Sequence, residues 1–251
     1  MGIRSSINAK RVHLKKLGPG GLQFLKLRKT VKQDEVFTFP VNGYLNLIHL
    51  RNKTSDLPTF YQCIFNEEYD IPISFVPQTI LDLGANIGLT TAFFKHKYPE
   101  AQIFAVEPEK SNFRILQKNT EKLTNITLYN NGIWHKNCDL IVENRGLGHY
   151  GYIVKEAPSG SKDTIPAISI NDIVKSHNLT SLDIVKIDIE GSEKEVFSEN
   201  TDNWLSITKV LIIEFHDRMT PGSSKSVFKA LENFNYEFAI KGENIIFYMQ
   251  N

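Results

Sequence analysis

The chain has 251 residues, 41% of them hydrophobic and 23% charged, and its 29 Lys and Arg against 28 Asp and Glu give a formal net charge of +1. That size and balance describe an ordinary globular chain with one main core, well above the length at which a single core becomes marginal. No stretch approaches the roughly 18 consecutive apolar residues of a membrane span and no signal-peptide hydrophobic region is visible. Cys63 and Cys138 lie far apart without a metal signature, so the chain reads as cytoplasmic with reduced thiols.

Nine basic residues (Arg4, Lys10, Arg11, Lys15, Lys16, Lys26, Arg28, Lys29, Lys32) and no acid precede Asp34. A basic arm therefore joins an acidic body. It reads as a solvated arm partly folded against that body, the other readings being peripheral contact with an anionic membrane face, a phosphorylated substrate or nucleic acid. Met1-Gly2-Ile3-Arg4-Ser5-Ser6 also satisfies the myristoylation pattern at Gly2, which few residues define. Strands follow at 36–39 and 44–50, then a helix over 56–67 capped by Asp56 with Pro58 in its first turn.

From Thr79 the pattern becomes regular. Strands are expected at 79–83, 102–106, 126–130, 183–187 and 209–213, with helices at 87–97, 110–122, 171–177, 192–199 and 224–233. An irregular excursion over 133–168, with turn signals at Asn144-Arg145-Gly146 and Pro158-Ser159-Gly160-Ser161, reads as an inserted hairpin. Strands 236–241 and 244–250, separated by Gly242-Glu243, close the chain as an antiparallel hairpin. Repeated β-α-β with continuous apolar strands means a mostly parallel sheet with helices on both faces. We divide the chain into residues 1–70, the basic arm with an α/β extension, and 71–251, the main domain.

The first regular strand ends in Asp82-Leu-Gly84-Ala-Asn86-Ile-Gly88, a glycine turn opening a helix. Gly84 and Gly88 allow a tight turn and close backbone approach to a ligand, while Asp82 sets a carboxylate at the strand's end. A dinucleotide needs G-x-G-x-x-G to seat its pyrophosphate on backbone N–H groups. Asn86 stands where the middle glycine would be, so the loop suits a cationic or zwitterionic ligand without phosphates, S-adenosylmethionine (SAM) being the common one. The second strand ends in Glu107-Pro108, an acid placed for the ribose diol. Asp82 and Gly84 are expected at the methionine moiety and the Asn131-Gly132-Ile133 turn at the adenine edge.

Val185-Lys186-Ile187-Asp188-Ile189-Glu190 alternates in a strand, so Lys186, Asp188 and Glu190 share one side. Unpaired buried charge costs several kcal/mol, so this segment is expected to run out of the sheet at its carboxyl end, where ligands of open α/β sheets bind. After the next apolar strand, Glu214 and His216 emerge with the same parity. An ion-pair network is the alternative, with Lys186 neutralising Asp188 or Glu214 and Glu190 capping the following helix; it is the preferred reading for Lys186, and function is the preferred one for Asp188.

Three groups of residues carry a family resemblance. They are Asp82-Leu-Gly-Ala-Asn-Ile-Gly88, Val106-Glu107-Pro108 with Asn112 and Asn119, and Lys186-Ile-Asp-Ile-Glu-Gly-Ser-Glu193 followed by Glu214. Together, with Phe65-Asn-Glu-Glu-Tyr69-Asp upstream, they resemble the FkbM-type methyltransferases over residues 60–216. The resemblance implies a Rossmann-like seven-stranded class I sheet and SAM-dependent methylation, usually of a hydroxyl of a sugar, glycan or polyketide-like molecule. The excursion matches least and is expected to shape the acceptor pocket, with Tyr61, Glu67, Tyr69, His149 and Tyr152 as candidate lining, aromatic core packing explaining the tyrosines equally well.

Methyl transfer is a displacement at activated carbon, so alignment supplies most of the acceleration, roughly 7–11 kcal/mol, and a general base adds about 10²–10⁴-fold. His216, as a neutral imidazole, is the first candidate base. Glu190 is the second, and Asp188 is placed at the methionine end of the cofactor. Asp188, Glu190 and Glu214 are the oxygen set that would hold Mg²⁺, but their spacing matches no dedicated metal motif and no metal ligand is assigned. A nucleic-acid methyltransferase is the enzyme alternative. It lacks both the Asn/Asp-Pro-Pro-aromatic and the Pro-Cys motif here. A non-catalytic, methyltransferase-like scaffold is the third reading, and the intact cofactor loop argues against it.

Overall fold

The computed structural model describes residues 3–144, 152–158 and 160–250. Gly2, the turn residues Arg145, Gly146 and Ser159, and His149 lie outside them. The described residues fall into two compact units.

The larger unit comprises 73–85, 100–110 and the chain from Asn125 onward. Its frame is a seven-stranded sheet of β3 (Thr79–Leu83), β4 (Gln102–Val106), β5 (Ile126–Tyr129), β10 (Leu182–Ile187), β11 (Thr208–Glu214), β12 (Tyr236–Lys241) and β13 (Asn244–Met249), in the order β12-β13-β11-β10-β3-β4-β5. The contacts from β11 through β5 are parallel, and β13 is antiparallel to both β11 and β12. This is the expected mostly parallel sheet with a C-terminal antiparallel hairpin. The strand order turns back on itself between β3 and β10, the point at which open α/β sheets hold their ligands.

Parity explains the core. Leu81, Leu83, Phe104, Val106, Val185, Ile187, Leu211 and Ile213 form one face of the sheet. On it pack Ile170 and Ile173 of α6 (Ile170–Ser176), Val196 of α7 (Glu193–Val196), Trp204 and Leu205 of α8 (Asp202–Leu205) and Val227 of α9 (Ser223–Ala230). Fully burying such a side chain contributes about 1.5–3 kcal/mol. Helix α6 starts at a capping box in which Ser169 and Asp172 satisfy each other's backbone N–H groups. The helix expected over 192–199 is only Glu193–Val196, and α8 was not anticipated.

At the opposite end of β10, Asp183 fastens three segments. Its carboxylate accepts the Gln78 and Thr79 N–H groups at 2.6 and 3.1 Å and pairs with Lys209 at 2.7 Å. Burial pushes this carboxyl up, but the bonds from Lys209, Gln78 and Thr79 outweigh it and hold its pKa below the ordinary value. A lowered folded-state pKa contributes stability above the unfolded value and loses it as pH falls through the folded one. Asp183→Asn is therefore expected to cost about 1–3 kcal/mol near neutral pH, with the gap from wild type closing in acid. Urea unfolding at a series of pH values measures it.

The excursion contains the expected hairpin and adds to it. Strands β7 (Asp139–Asn144) and β8 (Tyr152–Glu156) pair antiparallel, and β9 (Ile165–Ile168) joins β7 to β6 (Gly132–Ile133) in a separate four-stranded sheet ordered β6-β9-β7-β8. Trp134, Leu140 and Ala167 form a small core of their own.

The other unit holds the described residues up to Pro72, with Asn86–Pro99 and Ser111–Thr124. Its basic start is helical, in α1 (Ile3–Leu17) and α2 (Pro19–Thr30), where a solvated arm was expected. The reason is apolar. Leu17 and Phe24 are fully buried, and Phe24 lies 4.8 Å from the ring of Phe60 and 5.0 Å from that of Phe39 on β1 (Val36–Phe39). Strand β2 (Ile48–Arg51) is shorter than the expected 44–50, because Tyr44 stacks on His96 and Asn46 is buried, donating to the Asn119 carbonyl. Helix α3 (Asp56–Phe60) continues as a π-helical turn, Tyr61–Phe65. Asp56 does not cap it. Its carboxylate is buried against Arg51 at 2.7 Å. Helices α4 (Leu89–Lys97) and α5 (Lys110–Thr120) follow the glycine turn and the Glu107-Pro108 turn. Tyr61 and Tyr69, expected at the acceptor, are engaged within this unit: Tyr61 with His13 and Arg28, Tyr69 against Phe94.

Candidate functional site

Register alone brings the expected residues of the sheet unit to one edge. Leu83 of β3 pairs with Val106 of β4 on one side and with Ile187 of β10 on the other. Glu107 and Asp188, the next residues, therefore flank Gly84 at the same level, and at 4.7–4.9 Å per strand spacing their backbones stand roughly 10 Å apart. The ladder runs one residue further on each side, through Asp188 N–H to Leu83 O and through Gly84 and Ala85 N–H to Val106 O. Gly84 has φ +78°, and a Cβ there would meet the Asp188 carbonyl oxygen at 1.8 Å. Only glycine allows the β3 and β10 tips to sit this close.

Lys186 does not run out of the sheet. It is 2% exposed and lies in register with Asp82 across β10 and β3, 3.2 Å from a carboxylate that is itself fully buried. Its ammonium also donates to the Gly84 carbonyl at 2.7 Å and stands 3.8 Å from Asp188 Oδ2. Lys186 is thus ion-paired, with Asp188 as the network reading has it, and with Asp82, more than a hundred residues earlier, as its nearer partner.

Beyond the strand ends, four carboxylates surround one imidazole. His216 Nδ1 lies 2.8 Å from Glu193 Oε1, and Nε2 lies 3.6 Å from Glu190, 3.6 Å from Glu214 and 3.7 Å from Asp188 Oδ1. Burial lowers the pKa of His216, but the Glu193 hydrogen bond and the charges of Asp188, Glu193 and Glu190 outweigh it and raise it to about 9. In this charge balance the ring is an imidazolium near neutral pH. The neutral imidazole expected as base is not what these neighbours stabilise. Burial, then the Asp188 charge, raises Glu190 to about 7 and Glu214 to about 8. Glu190 has the left-handed φ of +55°, uncommon for a residue with a Cβ. Glu193 was quoted from the sequence only as part of a motif. Its role as a fully buried carboxylate orienting His216 shows only in three dimensions.

The remaining expected cofactor residues divide between the units. In the sheet unit, Glu107 is 5% exposed and accepts the Glu109 N–H at 2.9 Å. The Asn130 side chain donates to the carbonyls of Glu107 and Pro108. Asn131 is half-buried, and Gly132 is buried at the start of β6. In the other unit, Asn86 and Gly88 have left-handed backbones with φ +51° and +81°. Asn112 commits its amide oxygen to Arg51 at 2.6 Å, while Asn119, fully buried, accepts the His49 N–H and donates to the Ile87 carbonyl. Both carboxamides thus serve as internal braces there.

The acids at the strand tips outnumber the cations once Lys186 is matched to Asp82, leaving Asp188, Glu190, Glu193 and Glu214 around His216 alone. Such a donor set fits a positively charged ligand and disfavours a phosphate. Among the described residues, no helix is long and apolar enough to cross a membrane.

The family described as "Methyltransferase FkbM domain" matches residues 82–238. "Hexuronic acid methyltransferase AglP" of Haloferax volcanii is 30% identical over 151 residues, covering 60% of this chain and 59% of that protein. "Methyltransferase 1" of Beauveria bassiana is 24% identical over 189 residues, covering 64% of this chain and 73% of its own length. Among solved structures, the methyltransferase FkbM of Methylobacillus flagellatus KT superposes with a TM-score of 0.53 at 16% identity, over 75% of this chain and 47% of that one. This likeness shows the same fold.

Proposed function

The chain belongs to the FkbM methyltransferase family, a family of SAM-dependent enzymes, and from that premise we propose that it methylates a hydroxyl group of a sugar, glycan or polyketide-like molecule. The observation that carries the reading is the ring of carboxylates around His216 at the tips of β10 and β11, next to Gly84 at the turning point of the strand order. The similarity to a hexuronic acid methyltransferase supports a sugar acceptor.

When bound, SAM supplies a methyl group activated by a positive sulfur, so that the acceptor oxygen forms its C–O bond as the C–S bond breaks and that bond's electron pair stays on sulfur. Asp188, next to Gly84, offers negative charge to that cation. Glu107, on the other side of Gly84, is the acid for the ribose hydroxyls, with the Asn131-Gly132 turn following β5 for the adenine edge. Glu190 is the base that takes the hydroxyl proton. Both nitrogens of His216 face carboxylate oxygens, whereas the Glu190 side chain is 34% exposed on a left-handed backbone beyond β10. His216 then serves to gather the acids.

Isothermal titration of the full chain with SAM tests the cofactor assignment. Micromolar binding is expected, weakened at least tenfold in Glu107→Ala. Absence of binding to folded protein rejects the reading. Incubating cell extracts with the protein and deuterated-methyl SAM, followed by mass spectrometry for a labelled product, identifies the acceptor. A labelled nucleic acid or amine in place of a hydroxyl product would overturn the acceptor class.

A further inference from the structure

We propose that Asp188, Glu214 and His216 form a binding site for a divalent first-row transition metal ion at the tips of β10 and β11. One ligand-capable atom from each lies within 4.8 Å of the others. His216 Nε2 is 3.7 Å from Asp188 Oδ1 and 3.6 Å from Glu214 Oε1, and the ion binds by displacing the Nε2 proton and any proton on Glu214, which leave to solvent. Ligand atoms about 2.1 Å from a shared ion stand roughly 3.0–3.5 Å apart, so closing around one takes only a small side-chain movement. Lys186 approaches the other Asp188 oxygen, Oδ2, and leaves Oδ1 directed at the ring.

Two further observations point to a ligand. The first is the support of the histidine. Glu193, fully buried, takes His216 Nδ1 at 2.8 Å while its same oxygen accepts the Gly191 N–H. A carboxylate on the far nitrogen is how proteins orient a metal-binding imidazole. The second is Asn244, neither of whose buried amide atoms has a hydrogen-bond partner among the described residues. Asn244 is 1% exposed and is the antiparallel register partner of Glu214. Directly paired residues project to the same face, so this amide lies alongside the Glu214 side chain. Buried polar groups without partners are rare in native proteins and mark an ion or water.

The ligand chemistry selects the ion. An imidazole with two carboxylates suits manganese(II), iron(II), cobalt(II) or zinc(II), whereas magnesium and calcium prefer oxygen alone. The set therefore differs from the all-oxygen group of Asp188, Glu190 and Glu214 expected from sequence. Three protein ligands leave coordination positions open, and an acceptor hydroxyl in one of them would be polarised as it loses its proton to Glu190. That last step rests on the methyltransferase reading, whereas the metal site itself does not.

Manganese(II) is the probe. The full chain, stripped with EDTA and dialysed, is titrated with MnCl₂ while free ion is read by electron paramagnetic resonance. Saturable binding of one ion per chain is expected, weakened about 10–100-fold or more in Asp188→Asn and in Glu214→Gln. Circular dichroism and Tm establish that each variant is folded, and either suffices if the other is not. No saturable binding, or saturable binding unchanged in the folded variants, overturns the site. SAM titration of the same wild-type sample separates the two proposals, since intact SAM binding without manganese binding rejects the metal alone.

Discussion

Gly84→Ala is expected to destabilise the protein by more than about 4 kcal/mol, an exceptional loss that here comes from overpacking against backbone. The new Cβ would lie 1.8 Å from the Asp188 carbonyl oxygen, which belongs to backbone and cannot rotate away. Either β3 or β10 must shift at its carboxyl tip, and both are central strands whose neighbours hold them in register. The left-handed φ of +78° adds roughly 1–2 kcal/mol for a residue with a Cβ. Gly222→Ala provides the comparison, because Gly222 has φ +89° but nothing within 4 Å of a new Cβ. It should show the backbone term alone. Chemical unfolding of both variants therefore isolates the contact between strand tips, and equal losses would show that the tips are not packed as described. In whatever Gly84→Ala protein folds, SAM affinity should be lost, since the same contact sets Asp188 beside the turn.

Strands were legible wherever an apolar run was bounded by turn residues. Thr79–Leu83, Gln102–Val106 and Tyr236–Lys241 have the expected limits, each being a run that fits a buried strand followed by glycine or a proline turn. Helix starts were less so. The helix after the glycine turn begins at Leu89 because Gly88 occupies the N-cap in a left-handed conformation, which periodicity does not encode. The start of the chain misled because charge was weighed over apolar spacing. Leu17 and Phe24 are buried there, Phe24 among aromatic rings contributed by Phe37, Phe39 and Phe60, whose positions no local pattern reveals.

The site was legible in composition and less so in roles. Asp188, Glu190, Glu214 and His216 do lie together beyond the ends of β10 and β11, a shared strand end being a local property, although Asp188, Glu190 and His216 stand outside the strands, where alternation no longer places them. For Lys186 the ion-pair reading holds: Asp188 is one of its partners, and Asp82, which sequence spacing did not suggest, is the nearer one. Breaking such a pair by removing one member typically costs about 3–5 kcal/mol, so the two residues are best understood as a single internal fastening of β3 to β10. Glu193 and Asn244 escaped notice for the same reason. Each matters through burial beside a residue distant in sequence, His216 in one case and Glu214 in the other.

Glu190→Gln is expected to lower kcat on the true acceptor by about 10²–10⁴-fold, the usual contribution of a positioned base, while leaving SAM affinity within a few-fold of wild type. The amide keeps the side chain's size but cannot take a proton, so ground-state binding should survive while the transition state loses its acceptor for that proton. His216→Gln discriminates the two candidates. If the imidazole were the base, that variant would show the large kcat loss and Glu190→Gln would remain close to wild type. If Glu190 is the base, the histidine variant instead releases the four carboxylates that it gathers, and its defect should appear in cation and SAM binding as well as in turnover. The split between kcat and binding is therefore the deciding measurement. It follows from geometry: a ring with a carboxylate on each nitrogen organises charge, and the partly exposed acid beside it, on a left-handed backbone, is the group with room for a substrate proton.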